Sequence, residues 1–115
     1  MDNKKDNHYY IRKMITDLLF VQKHTKGLTK DELKKNEVLL DSVMFRLIQI
    51  SENSDKLTDA FKEKHVDVPW RALKGMRNRI VHEYGNVDLG IIYDTVIRDI
   101  PILLEQLQSI EEQMS

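Results

Sequence analysis

Cysteine is absent from this chain of 115 residues, which excludes a disulfide framework, a thiolate metal site and a catalytic thiol. Glycine and proline are scarce, at four and two residues, and no strand-like alternation persists beyond a few positions. That pattern predicts helices joined by short connections. No apolar run approaches the ~18 residues of a membrane span, and the polar start Met1-Asp2-Asn3-Lys4-Lys5-Asp6 lacks the apolar core of a secretory leader. No membrane association is expected, and a cytoplasmic location is. The four histidines, His8, His24, His65 and His82, are scattered without the spacing of a zinc site. Neither a metal nor a cofactor is expected.

What is present fits one helical domain over residues 1–115. Hydrophobic residues make up 41% and charged residues 32%, a balance that suits a single modest core with a well-solvated surface. A net charge of −1 argues against a general nucleic-acid coat protein. The charge is uneven, however: residues 1–85 sum to +4 and residues 86–115 to −5, which leaves room for a local basic surface.

Periodicity and end signals divide the chain into an all-α, up-and-down bundle of four to five helices. A first helix is predicted from about Asn7 to Lys26, with Ile11, Ile15, Leu18, Leu19 and Val21 as its apolar stripe and Gly27 as its stop. Thr29-Lys30-Asp31-Glu32 reads as a capping box opening a second helix that continues to about Ile50. The broad apolar arc of that helix predicts a central place in the bundle. A short third helix covers Leu57 to Lys64. A fourth, with Pro69 at its first position, reaches Tyr84 and stops at Gly85-Asn86. Asp88 caps a last helix to about Gln113, kinked at Pro101, which lacks a backbone donor.

The fourth helix carries the chemistry, in Arg77-Asn78-Arg79-Ile80-Val81-His82-Glu83-Tyr84. At about 100° per residue, Trp70, Leu73, Ile80, Val81 and Tyr84 form an apolar stripe with Arg77 in its middle. Arg71, Gly75, Asn78 and His82 form the adjacent stripe, on which Asn78 and His82 are neighbours four residues apart. A guanidinium among apolar groups needs a partner. One reading is a structural ion pair to Glu52 or Asp55; another is a phosphate met in a cleft or at a second subunit. His82 suits the C-terminal dipole of a helix when protonated, and beside Asn78 it is a candidate for proton transfer near neutral pH. Tyr84 is a core-edge aromatic whose hydroxyl is expected to emerge at the helix end. Gly75 costs about 1 kcal/mol relative to alanine in a helix, which predicts close approach of a partner or ligand.

An arginine with a histidine four to six residues later is weak by itself; the extended pattern RNxxxHxY is much narrower. On that segment, on Val68-Pro69-Trp70 before it, and on Asn86-Val87-Asp88-Leu89 and Ile100-Pro101 after it, the chain resembles the HepT-like toxins of the HEPN superfamily of helical ribonucleases. Asp41 through Glu52 resembles the second helix of that family, with Ser51-Glu52-Asn53 in place of its usual Gly-Glu-Ala. The resemblance implies a homodimeric, metal-independent endoribonuclease that is the toxin of a bacterial toxin–antitoxin pair. It implies that Arg77 and His82 are catalytic, that Asn78 supports them, and that a nucleotidyltransferase antitoxin adenylylates Tyr84. Arg71, Lys74 and Arg79 are the further candidates for RNA contact. The competing readings are a non-catalytic helical adaptor for a nucleotidyltransferase and a plain dimeric bundle with a structural arginine–carboxylate pair.

Overall fold

Asp6 begins the first helix, because its carboxylate accepts the Tyr9 N–H at 3.0 Å and satisfies a donor that the helix start would leave open. The computed structural model describes residues 6–82 and 86–114, and the side chains at all of these except 81, 82, 86 and 87. Helix α1 spans Asn7–Thr25 and ends at Gly27, whose φ of 78° only glycine adopts without strain. The capping box forms as expected: Glu32 N–H reaches Thr29 Oγ1 at 3.1 Å, and Thr29 N–H reaches Glu32 Oε1 at 2.9 Å. The helix it opens is short, however. Helix α2 covers Lys30–Lys35, and Asn36 breaks the run predicted as one continuous helix. The Asn36 side chain caps α3 (Glu37–Asp55) by accepting the Leu39 N–H at 3.1 Å, while its own N–H closes α2 on the Leu33 carbonyl at 3.2 Å.

Helix α3 takes the central place its apolar arc predicts, packing against α1, α2 and α5. Helix α4 (Asp59–Lys64) starts at Thr58, and α5 (Trp70–Ile80) starts one residue after Pro69. The indole N–H of Trp70 donates to the His65 carbonyl at 2.9 Å, which pins the start of α5. Beyond α5 come a two-residue antiparallel pairing of Val81–His82 (β1) with Asn86–Val87 (β2), then α6 (Leu89–Asp94). One turn of π-helix, Thr95–Asp99, joins α6 to α7 (Ile100–Met114). The predicted kink at Pro101 is therefore a wide turn just before it. Proline has no N–H to return to the carbonyl four residues back, and the backbone loosens there.

The fold is thus an all-α bundle, more finely divided than the four to five helices expected. Its core joins Ile11, Met14 and Leu18 of α1 to Val43, Leu47 and Ile50 of α3, with Leu73 and Ile80 of α5 and Leu103 and Leu107 of α7. Polar groups stitch the layers. Arg46 of α3 meets the buried Asp17 of α1 at 2.8 Å, with its guanidinium 4.0 Å from the centre of the Phe20 ring. Ser51 of α3 donates its buried hydroxyl to the Leu73 carbonyl of α5 at 2.7 Å, a hydrogen bond across the two helices. A Ser51→Ala protein should lose about 1 kcal/mol of stability. Urea unfolding should show the loss as a lower midpoint with an unchanged slope; an unchanged midpoint would mean that this bond contributes nothing.

Candidate active site

Helix α5 has four cationic side chains, Arg71, Lys74, Arg77 and Arg79, and no acidic one. All four are exposed, as is Asn78. Its buried face is Leu73, Met76 and Ile80. Met76 moves the centre of that face away from Arg77, which stands at the edge of the apolar stripe rather than in its middle. The expectation of a guanidinium enclosed among apolar groups is corrected accordingly. Among the described residues Arg77 makes no ion pair, and neither Glu52 nor Asp55 receives it. Both of those carboxylates are exposed. An exposed, unpaired guanidinium costs little to hold in water and is free to take an anionic ligand.

Helix α5 ends four residues short of its predicted end at Tyr84. Ile80 is its last residue, and Val81 and His82 continue as β1, opposite Val87 and Asn86 respectively. The four-residue helical relation between Asn78 and His82 therefore does not hold, since the chain leaves the helix between them. The backbone places His82 just past the end of the cationic helix, in a hairpin closed by Asn86. Tyr84 and the Gly85 part of the predicted stop lie outside the described residues. A second bond fixes the hairpin base: Asp88 N–H donates to the Ile80 carbonyl at 3.1 Å. The Asp88 side chain in turn accepts the Ile91 N–H at 3.0 Å and caps α6. One residue thus joins the end of α5 to the start of α6.

The candidate contact residues do not all gather on one side. On an ideal helix Arg77, Lys74, Asn78 and Arg71 fall within about 120° of arc, whereas Arg79 stands about 200° round from Arg77. Arg79 folds back along α5 and donates to the Ala72 carbonyl at 2.9 Å. It lines a groove of about 230 Å³ against α7, with Met76, Asp99 and Leu103. Gly75 is explained by the same side chain. A methyl group there would come 3.0 Å from an Arg79 nitrogen, so the close approach expected at this glycine is made by the protein's own arginine. Sequence reasoning missed the neighbour of the hairpin base: Lys30 of α2 holds its ammonium over Gly90, 3.6 Å from where a β-carbon would sit. Its only visible signal is the pair Lys30 and Lys34, four residues apart on one helix face.

A cationic helix, an amide at its end and an imidazole-bearing residue in the hairpin that follows are the setting in which comparison with known proteins becomes decisive. The family described as Ribonuclease HepT-like matches residues 14–110. This chain belongs to the HepT-like ribonuclease family. Membership places it among RNA-cleaving enzymes, as the resemblance at the motif implies. Among curated relatives, "Putative RNase TTE0752" of Caldanaerobacter subterraneus is 33% identical over 88% of this chain and 90% of its own length. "Gamma-glutamylcyclotransferase and putative RNase MJ0434" of Methanocaldococcus jannaschii is 31% identical over 96% of this chain, which spans 50% of that longer protein. "Probable ribonuclease HepT" of Thermococcus cleftensis is 24% identical over 95% of this chain and 99% of its own length. No solved structure matches the chain. Among the described residues no cluster of histidines and acids could hold a metal ion, and no helix is long and apolar enough to cross a membrane.

Proposed function

We propose that this member of the family is a metal-independent endoribonuclease toxin, active as a homodimer and silenced by a nucleotidyltransferase antitoxin that adenylylates Tyr84. The observation that carries the reading is the exposed Arg77, without an ion pair among the described residues, beside Asn78 on an acid-free helix that leads into His82. RNA supplies its own nucleophile. The ribose 2′-oxygen attacks the adjacent phosphorus, the bond to the 5′-oxygen of the next nucleotide breaks, and a 2′,3′-cyclic phosphate and a 5′-hydroxyl remain. His82 removes the 2′-hydroxyl proton or returns one to the departing 5′-oxygen, a contribution of about 10²–10⁴-fold. Arg77 stabilises charge on the phosphoryl oxygens as it builds. Asn78 holds a phosphate oxygen or fixes the orientation of the imidazole, and Arg71 and Lys74 hold flanking phosphates. Arg79 is the weaker candidate for that role, because it stands on the opposite flank of α5.

One imidazole serves poorly as base and acid in the same step, and a two-fold dimer that opposes two such hairpins provides a second. An adenylyl group on Tyr84 would set an anion two residues from His82 and compete for the cations that bind RNA phosphate.

Two experiments test this reading. The purified chain should cleave single-stranded RNA in EDTA and leave cyclic phosphate ends. Failure to cleave under those conditions would leave the adaptor reading in its place. A Tyr84→Phe protein should keep its cleavage rate and become insensitive to the antitoxin with ATP, measured by mass shift and by residual activity. Lost cleavage in that variant would assign the phenol to the chemistry instead.

A further inference from the structure

The cations nearest the hairpin base are not confined to α5. Residues 23–35 contribute five lysines against two acids. Both acids are engaged: Asp31 pairs with Lys35 at 2.9 Å, and Glu32 closes the capping box on Thr29. Lys23, Lys26, Lys30 and Lys34 are exposed and make no ion pair among the described residues. The fold then carries this segment to the motif. Tyr93 of α6 donates its hydroxyl proton to the Leu28 carbonyl at 2.9 Å, which ties the turn before α2 to α6. The Lys30 ammonium and one Asp88 carboxylate oxygen both lie over Gly90, 3.6 and 3.4 Å from where its β-carbon would sit, and the Asp88 N–H holds the Ile80 carbonyl. A continuous path runs from α5 through Ile80, Asp88 and Gly90 to Lys30, and Lys34 continues it one turn further on the same face of α2.

We propose that Lys30 and Lys34 form an outlying binding site for the RNA backbone, so that the strand leaving the cleavage site passes over the start of α6 and onto α2. The inference rests on the ribonuclease reading and extends it to the length of substrate engaged. Single-stranded RNA carries a phosphate at each nucleotide, and neutralising phosphates releases counterions, so affinity contributed by lysines is strongly salt-dependent. Helix α7 does not offer this: it carries Glu105, Glu111 and Glu112 and no lysine or arginine, and it would repel the same strand.

The test uses the full chain in EDTA with two substrates: a dinucleotide, which reaches only the motif, and a single-stranded RNA of about 20 nucleotides. Lys30→Gln/Lys34→Gln neutralises two exposed side chains without adding acids to the face. The variant should cleave the dinucleotide at the parent rate. On the long RNA it should show a raised KM, an unchanged kcat, and a shallower dependence of log affinity on log salt, by about 0.7 for each lost contact. Arg12→Gln/Lys13→Gln removes equal charge from α1 about 20 Å before the turn into α2 and should keep the parent slope. Equal KM and salt slope in parent and Lys30/Lys34 variant, with the parent cleaving both substrates, would overturn the proposal alone. A parent that cleaves neither substrate would overturn the ribonuclease reading, and the proposal with it.

Discussion

A His82→Ala protein should lose about 10²–10⁴-fold in RNA cleavage, and Arg77→Ala about 10²–10³-fold. The second variant is the more telling because its fold should be untouched. Arg77 is exposed and makes no ion pair among the described residues, so its truncation should change stability by no more than about 0.5 kcal/mol. For a domain of this size that is within about 3 °C of melting temperature. A plain bundle with a structural arginine–carboxylate pair predicts the reverse, a falling melting temperature with nothing catalytic to lose. The discriminating measurement is therefore a pair: melting by circular dichroism and cleavage of the same preparation. Full activity in His82→Ala would end the assignment of the imidazole. A fall of 10 °C or more in Arg77→Ala, a figure on the order of 2 kcal/mol, would return Arg77 to a structural role.

Arg46→Ala should be far more damaging to stability, although Arg46 is partly exposed. Its partner Asp17 keeps only 4% of its side-chain surface in water. One oxygen of that carboxylate receives Arg46 at 2.8 Å, and the other, Oδ2, is buried without a hydrogen-bond partner among the described residues. Removing the guanidinium strands a charge in the interface between α1 and α3, at a cost of about 3 kcal/mol or more. The loss of contact with the Phe20 ring adds a smaller term. Thermal unfolding should fall by on the order of 10 °C. A double variant, Asp17→Leu/Arg46→Leu, should recover much of the loss, because well-packed apolar residues often match a buried ion pair. Additive losses in the double variant would mean that the two residues do not act as a pair. Among the described residues it is Arg46, and not Arg77, that a carboxylate holds.

Capping chemistry is local, and where it governs, the fold was legible. Thr29 with Glu32, Gly27 after α1 and Asp88 before α6 mark helix ends in the sequence and in the structure alike, whereas Thr58, the cap of α4, lies inside the start expected at Leu57. Asn36 was missed despite being the same kind of cap, because the apolar residues Leu33, Val38, Leu39 and Leu40 on either side read as one uninterrupted stripe. The end of α5 was not readable from propensity. Ile80, Val81 and Tyr84 keep helical spacing, and what ends the helix is pairing with Asn86–Val87 and the Asp88 bond, both supplied from later in the chain. Arg77 was misplaced for a simpler reason: leaving Met76 out of the wheel, and counting Val81 although α5 ends at Ile80, swung the apolar face about 30° toward the arginine. The motif itself needed no fold to be noticed, whereas Lys30 is brought to it only by the contact of α2 with α6.

The π-helical turn at Thr95–Asp99 decides more than the angle of a rod. Ile92, Val96 and Ile100 are all buried although they recur every four residues, wider than the 3.6 of an ordinary helix. The loose turn takes up that surplus and keeps the three in line. Inserting a further residue there would exceed what the wide turn absorbs and rotate α6 by about 100° against α7. Asp88 would swing with it, away from the Ile80 carbonyl, and the hairpin bearing His82 would lose its footing though no residue near it had changed. Insertions in this short stretch should therefore be poorly tolerated, and a silent enzyme would arise there with a well-formed core.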